Sequence, residues 1–218
     1  MLHCLPDADK DPFVFVIAGR RGSGKTTLCI RLLISDCAYK GKFDKIILVS
    51  ETAQLSGQWS RNIDTSDWQV HDHYSPKIID DLMEKQTGTK PANREHILLI
   101  LDDLGHSTRR GLKMSDVDPL DTLASNGRHL CISIIFLCQQ LSQTCTSIRA
   151  NADAYICFAA HSLRDSLALR NETAGEIPWR AFHDKILETT KERHSFVLIR
   201  VTGGRVEHYA NLGRKITF

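Results

Sequence analysis

"VIAGRRGSGKTTLCIRLL", residues 16–33, decides how the chain reads. An apolar run stops at Gly19, passes two arginines and two more glycines, and restarts as an amphipathic pattern around Lys25. Glycine disfavours both strands and helices, so three of them at one junction mark a backbone task rather than a packing task. The residues Gly19, Arg20, Arg21, Gly22, Ser23, Gly24, Lys25 and Thr26 fit G-x-x-x-x-G-K-[ST]. Such a loop aims several backbone N–H groups inward at a phosphate chain, where a Cβ would block close approach. The helix that starts near Gly24 adds the positive end of its dipole. Lys25 is expected to neutralise the outer phosphates, and the Thr26 hydroxyl to bind a bridging Mg²⁺. Thr27 completes the nucleotide-binding stretch. Arg20 and Arg21 are read as reaching phosphate, a neighbouring subunit or water.

Working outward, buried strands alternate with helical patterns. "FVFVIA" (13–18), "KIILVS" (45–50), "HILLILDDL" (96–104), "CISIIFLC" (131–138) and "AYICFA" (154–159) read as strands. Helices are expected over 24–35, 75–86, 117–127, and near 161–171 and 178–192. Alternation at this spacing predicts βαβ units and a parallel sheet flanked by helices. "SFVLIRV" and "RVEHYANL" flank Thr202-Gly203-Gly204, so an antiparallel hairpin is expected to extend one sheet edge. The predicted class is α/β, a P-loop NTPase of RecA/ASCE type. No composition shift marks a linker. The chain therefore reads as one ATPase domain over 1–218, with a core at about 13–160 and C-terminal helices and hairpin at 161–218.

"ILLILDDL" forms the second constellation. It places Asp102 and Asp103 at the carboxyl end of a buried strand, where open α/β sheets bind ligands. Asp102 is read as the Mg²⁺ carboxylate. Asp103 follows it and is expected to point to the other side, toward where an attacking water would sit, which it would orient and deprotonate. Gln139, straight after "SIIFLC", is placed to sense the γ-phosphate, with Gln140 as a substitute. Two arginines are candidates for a charge supplied across a subunit boundary, a device worth about 10³–10⁵ in rate in NTPases. They are Arg128 in "SNGRHL" and Arg149 in "TSIRANAD". Both precede strands, which puts them at the sheet end opposite their own nucleotide. "GHSTRRGLKMSD" (105–116) adds a glycine-hinged basic loop whose Arg109, Arg110 and Lys113 suit the phosphates of DNA.

Composition narrows the classes. The 218 residues are 42% hydrophobic, enough for a sizeable core. No apolar run reaches membrane-spanning length, and the N-terminus lacks a signal-peptide pattern. Net charge is +2. Residues 1–103 hold 13 basic and 15 acidic residues, and the remainder 15 and 11, a tilt that permits a phosphate-backbone partner without arguing for one. Seven cysteines lack zinc-type spacing and read as reduced, mostly buried small hydrophobes. His71 and His73 in "HDHY" read as a polar loop.

Taken together, "GRRGSGKTT", "ILLILDDL", "NGRHLCISIIFLCQQ" and "SIRANADAYICF" resemble the DNA-packaging ATPases of the FtsK/HerA superfamily, poxvirus-type and virophage-like enzymes included. The last two stretches are the discriminating ones. The resemblance covers about residues 13–160. It implies ATP and Mg²⁺ as cofactors, with Lys25, Thr26, Asp102, Asp103 and Gln139 in the roles above and Arg128 as first choice for the trans-acting arginine. It implies a homo-oligomeric ring, pentamer or hexamer, at a capsid vertex that threads double-stranded DNA inward. It also implies a soluble protein of the host cytoplasm, in a virus factory or at the virion vertex. The membrane segment and DNA-reading module of bacterial chromosome pumps, and the nuclease of tailed-phage terminases, are not read here. Capsid partners and DNA-end processing are then expected from other proteins.

Two other readings remain open at this point. A P-loop kinase for nucleotides or small molecules would use Arg164, Arg170, Arg180 and Arg193 as a lid. A non-motor assembly factor would bind ATP and scarcely hydrolyse it. A signalling GTPase is disfavoured because no N-K-x-D pattern occurs.

Overall fold

The computed structural model describes residues 3–53, 57–104, 118–159 and 162–217. Nine strands form one sheet in the order β3-β2-β4-β5-β1-β6-β7-β8-β9. They are β1 (Val14–Ala18), β2 (Lys45–Ser50), β3 (Gln69–His71), β4 (Ile97–Asp102), β5 (Ile132–Cys138), β6 (Ala154–Phe158), β7 (Phe196–Thr202), β8 (Arg205–Ala210) and β9 (Arg214–Ile216). β3, β2, β4, β5, β1 and β6 run parallel to one another. β7, β8 and β9 add antiparallel strands at one edge. The expected parallel core and C-terminal hairpin are both present. The hairpin turns on Gly203 and Gly204, at φ +56° and +76°, the two positive angles its tight turn requires.

The strands are apolar on both faces because helices cover both. Even-numbered residues of β1 and odd-numbered residues of β4 (Val14, Val16, Leu99, Leu101) face one core. The helices covering it are α3 (Pro76–Gly88), α4 (Pro119–Asn126), α5 (Thr146–Ala150), α6 (Leu163–Thr173) and α7 (Trp179–Thr189). Their alternates (Phe15, Ile17, Leu98, Ile100) face a second core with α1 (Lys25–Ile34), the N-terminal Cys4 and Leu5, and Trp59 on α2 (Gln58–Asn62). Each fully buried Leu or Ile contributes about 1.5–3 kcal/mol, so this two-sided packing fixes the strand ends rigidly.

Four elements were not anticipated: α2, β3, α5 and β9. Each has three to five residues, too short to show periodicity. β4 also ends at Asp102, two residues before the expected Leu104. His71 lies on edge strand β3 and contacts Gln69, while His73 contacts Asp72. No group of three or more metal-ligating side chains occurs among the described residues. Of the seven free cysteines, Cys4, Cys29, Cys138 and Cys157 are buried and Cys37 is exposed. Among the described residues, no helix is long and apolar enough to cross a membrane.

Candidate nucleotide site

Register brings the functional residues together. Asp102 of β4 stands beside Leu137 of β5, and Cys138 of β5 stands beside Ala18 of β1. The ladder continues past the strands: Gly19 N donates to Cys138 O at 3.0 Å and Asp103 N to Leu137 O at 3.1 Å. The phosphate loop, the acidic pair and Gln139 therefore emerge from three adjacent strands at one sheet end. A single cleft is lined by Arg21, Gly22, Gly24, Lys25, Thr26, Thr27, Asp102, Asp103 and Gln139.

The loop's glycines answer to specific constraints. A Cβ at Gly19 would lie 2.7 Å from Ser23 Oγ and 2.8 Å from Phe158 Cβ, closer than real atoms approach. Gly24 sits at φ +106° immediately before α1, an angle that L side chains rarely adopt. Gly24 and the first turn of α1 line the cleft, and that turn carries no acidic side chain. Lys25 is buried, and its Nζ donates to Gly19 O at 2.8 Å and Arg20 O at 3.4 Å. Ser23 Oγ is a buried hydroxyl without a hydrogen-bond partner among the described residues. Arg20 and Arg21 are exposed, on the rim.

The two aspartates differ sharply. Asp102 is 3% exposed and has no ion pair among the described residues. Burial pushes its carboxyl above the usual range. The Trp59 indole N–H then opposes that shift, neighbouring Asp103 adds to it, and Lys25 and Ser50 again oppose it. Asp103 is not on the strand. It lies at φ +52°, and its Oδ2 accepts from Gln139 Nε2 at 3.0 Å. β4 ends at Asp102, a left-handed residue follows, and both carboxylates line the same cleft.

A magnesium ion suits these donors. Thr26 offers a hydroxyl and Asp102 a desolvated carboxylate that forms no ion pair among the described residues. Mg²⁺ is commonly held by one or two carboxylates plus substrate phosphates. A buried carboxylate is costly until a cation compensates it.

Three residues at the cleft escaped the sequence reading: Thr52, Gln58 and His194. Gln58 lines it and donates to Thr27 Oγ1 at 3.1 Å. His194, at φ +65° in the α7–β7 loop, places Nδ1 2.8 Å from Ser23 O. A neighbouring cavity runs from Arg20–Ser23 to Thr190–Ser195. His194 is 171 positions from Ser23, so no local signal could have revealed the contact.

The arginines lie at the other sheet end, as expected. Arg128 sits in a 3-10 turn before β5 and pairs with Asp153, whose other oxygen accepts from Val14 N at the start of β1. Arg149 is more enclosed, its side chain 16% exposed. It donates to Glu172 Oε1 at 3.0 Å and Thr144 O at 3.3 Å. Neither approaches its own chain's cleft. Arg109, Arg110 and Lys113 lie outside the described residues. Of the arginines assigned to a kinase-type lid, Arg170 is engaged with the carbonyls of Ile177 and Gly175, and Arg180 lies over the Trp179 ring.

Residues 6–173 match the family model described as Poxvirus A32 protein. No curated protein matches the chain significantly. The fold is shared with the genome packaging NTPase B204 of Sulfolobus turreted icosahedral virus 2, solved with AMP. There the TM-score is 0.63 at 15% identity, covering 93% of this chain and 98% of that one. B204 of Sulfolobus turreted icosahedral virus, described as the DNA-packaging ATPase, gives 0.63 at 16% identity, with 90% and 97% covered. The pCW3 conjugation coupling protein TcpA, solved with ATPγS, gives 0.57 at 16% identity, with 91% and 60% covered. These likenesses are likenesses of fold.

Proposed function

The chain belongs to the Poxvirus A32 protein family, and on that premise we propose that it is an ATP-hydrolysing motor that moves double-stranded DNA into a viral capsid. One observation carries the reading: phosphate loop, acidic pair and Gln139 converge in one cleft. Loop amides and Lys25 bind the phosphates. Thr26 and Asp102 hold a magnesium ion, which when bound supplies charge neutralisation on the phosphate oxygens. Asp103 orients the attacking water and accepts its proton, and Gln139, bonded to Asp103, registers the γ-phosphate. The nucleoside half extends toward the cavity between Arg20–Ser23 and Thr190–Ser195.

The chain acts as a single ATPase domain in a homo-oligomeric ring of five or six. Arg128, exposed at the opposite sheet end, is the arginine presented to a neighbour's cleft. Arg149 is the lesser choice because Glu172 and Thr144 hold it. Arg109, Arg110 and Lys113 contact DNA phosphates. The site of action is the host cytoplasm, in a virus factory, and the virion vertex, with capsid proteins as partners. Family membership and the committed positions of Arg170 and Arg180 favour this motor over a kinase with an arginine lid.

The test is ATP turnover with duplex DNA titrated in, alongside solution mass. DNA-stimulated turnover that Asp103→Asn abolishes supports the motor. Turnover indifferent to DNA, or phosphoryl transfer to a nucleoside by a monomer, contradicts it.

A further inference from the structure

Trp59 touches the end of the acidic strand at Asp102. It is 2% exposed, on the five-residue helix α2. Its Nε1–H donates to Asp102 Oδ2 at 2.9 Å, across 43 positions of sequence. Ser50 Oγ reaches the same oxygen at 3.4 Å from β2. Both donors therefore engage Oδ2, and Oδ1 makes no hydrogen bond among the described residues. A carboxylate held on one oxygen cannot rotate freely, so its other oxygen has a fixed direction in the cleft that Asp102 lines. The indole is itself fixed: its ring centroid lies 6.0 Å from that of Trp68 at 60°.

Helix α2 touches the cleft on two sides. Trp59 holds β4 through Asp102, and the preceding residue, Gln58, donates to Thr27 of α1. If Trp59 served only the core, phenylalanine would supply nearly the same apolar surface without a polar group needing a partner. The indole N–H instead goes to the one buried carboxylate of the site. We propose that Trp59 is a positioning residue that presents Asp102 Oδ1 to the magnesium ion of a bound nucleotide. This rests on the assignment of Asp102 as the metal carboxylate. Outer partners of this kind orient metal ligands, and their loss costs about 10–100-fold in metal affinity.

The test measures binding of AMPPNP by calorimetry, in excess Mg²⁺ and in EDTA, for the wild-type chain and Trp59→Phe. The wild type binds more tightly with Mg²⁺. Trp59→Phe loses at least about tenfold of that gain while its EDTA affinity stays within about twofold. A purely structural role would weaken both conditions together, and that result overturns the proposal, as does an undiminished gain. A wild-type chain with no magnesium-dependent gain overturns the assignment of Asp102, and the proposal with it. Should Trp59→Phe fold poorly, the Trp68→Phe/Trp179→Phe chain leaves Trp59 as the sole indole. Its emission changes when Mg²⁺ is added to the AMPPNP complex, and no change overturns the proposal.

Discussion

Gln139 Nε2 donates to Asp103 Oδ2 at 3.0 Å, joining the ends of β5 and β4 directly above the cleft. The pair makes the acidic residue and the strand-tip amide one unit. Gln139→Ala is expected to lower turnover by about 10–100-fold, in the range of an oriented acid–base contribution. Affinity for ATP remains within a few fold, because no phosphate-loop contact is lost. Steady-state turnover with a parallel binding titration checks this. An equal loss of affinity and turnover would assign Gln139 to phosphate binding instead.

Asp103 holds φ +52°, a conformation costing about 1–2 kcal/mol for most L-residues and less for Asp or Asn. Asp103→Gly is therefore expected to unfold no earlier than the wild type, although it should not hydrolyse ATP. Asp103→Val, β-branched, should lose stability by at least about 1 kcal/mol. Thermal melts of the three chains decide it. A Val variant as stable as the Gly variant would contradict the strained geometry.

Asp102 supplies a pH signature. Its folded-state pKa is raised, first by burial, above an unfolded value of about 3.9. The folded state then holds the proton more tightly, so this group's contribution to stability falls as pH rises from the unfolded value through the folded one. Above that window the buried charge is a constant burden. In metal-free buffer, Asp102→Asn is expected to melt a few degrees above the wild type at pH 7.5, and the gap should close as pH falls toward 4. Saturating Mg²⁺ with nucleotide should reverse the order. A wild type more stable than Asp102→Asn at pH 7.5 without metal would contradict the desolvated carboxylate.

The two arginines separate by their surroundings. Arg149 is enclosed by Glu172, Thr144 and Thr146, so Arg149→Ala leaves a carboxylate 21% exposed without its partner. A loss of roughly 2–3 kcal/mol is expected. Arg128 is 56% exposed in its pair with Asp153, and Arg128→Ala should cost under about 1 kcal/mol. Denaturant melts check both. With folding intact, turnover of Arg128→Ala mixed with Lys25→Ala should exceed that of either alone, since each supplies the half of a shared site that the other lacks. Assembled rings without any rescue would remove Arg128 from that role.

Much of this site was legible because its signals are local. "FVFVIA" and "ILLILD" are unbroken apolar runs, and a strand buried on both faces requires that pattern. The glycines announced the phosphate loop because backbone conformation, unlike side-chain contact, is written at single positions. What escaped is what distance conceals. Trp59 sits in a polar stretch with no helical period, and its partner is 43 positions away. His194 reaches Ser23 from a loop near the C-terminus. Asp103 lies just past β4, which ends at Asp102, and no sequence pattern marks that its backbone is left-handed. The left-handed residue that follows turns the second carboxylate into the same cleft as the first.

Hydrolysis at this cleft requires a nucleotide seated among the amides of residues 19–26 with Lys25 beside it. Calorimetric titration of ATPγS with Mg²⁺ into the wild type and Lys25→Ala tests this most directly. The wild type is expected to bind one equivalent per chain, with an affinity between about 1 μM and 1 mM, and Lys25→Ala at least about tenfold more weakly. A folded wild type that takes up no nucleotide, or a Lys25→Ala chain that binds equally well, would contradict it.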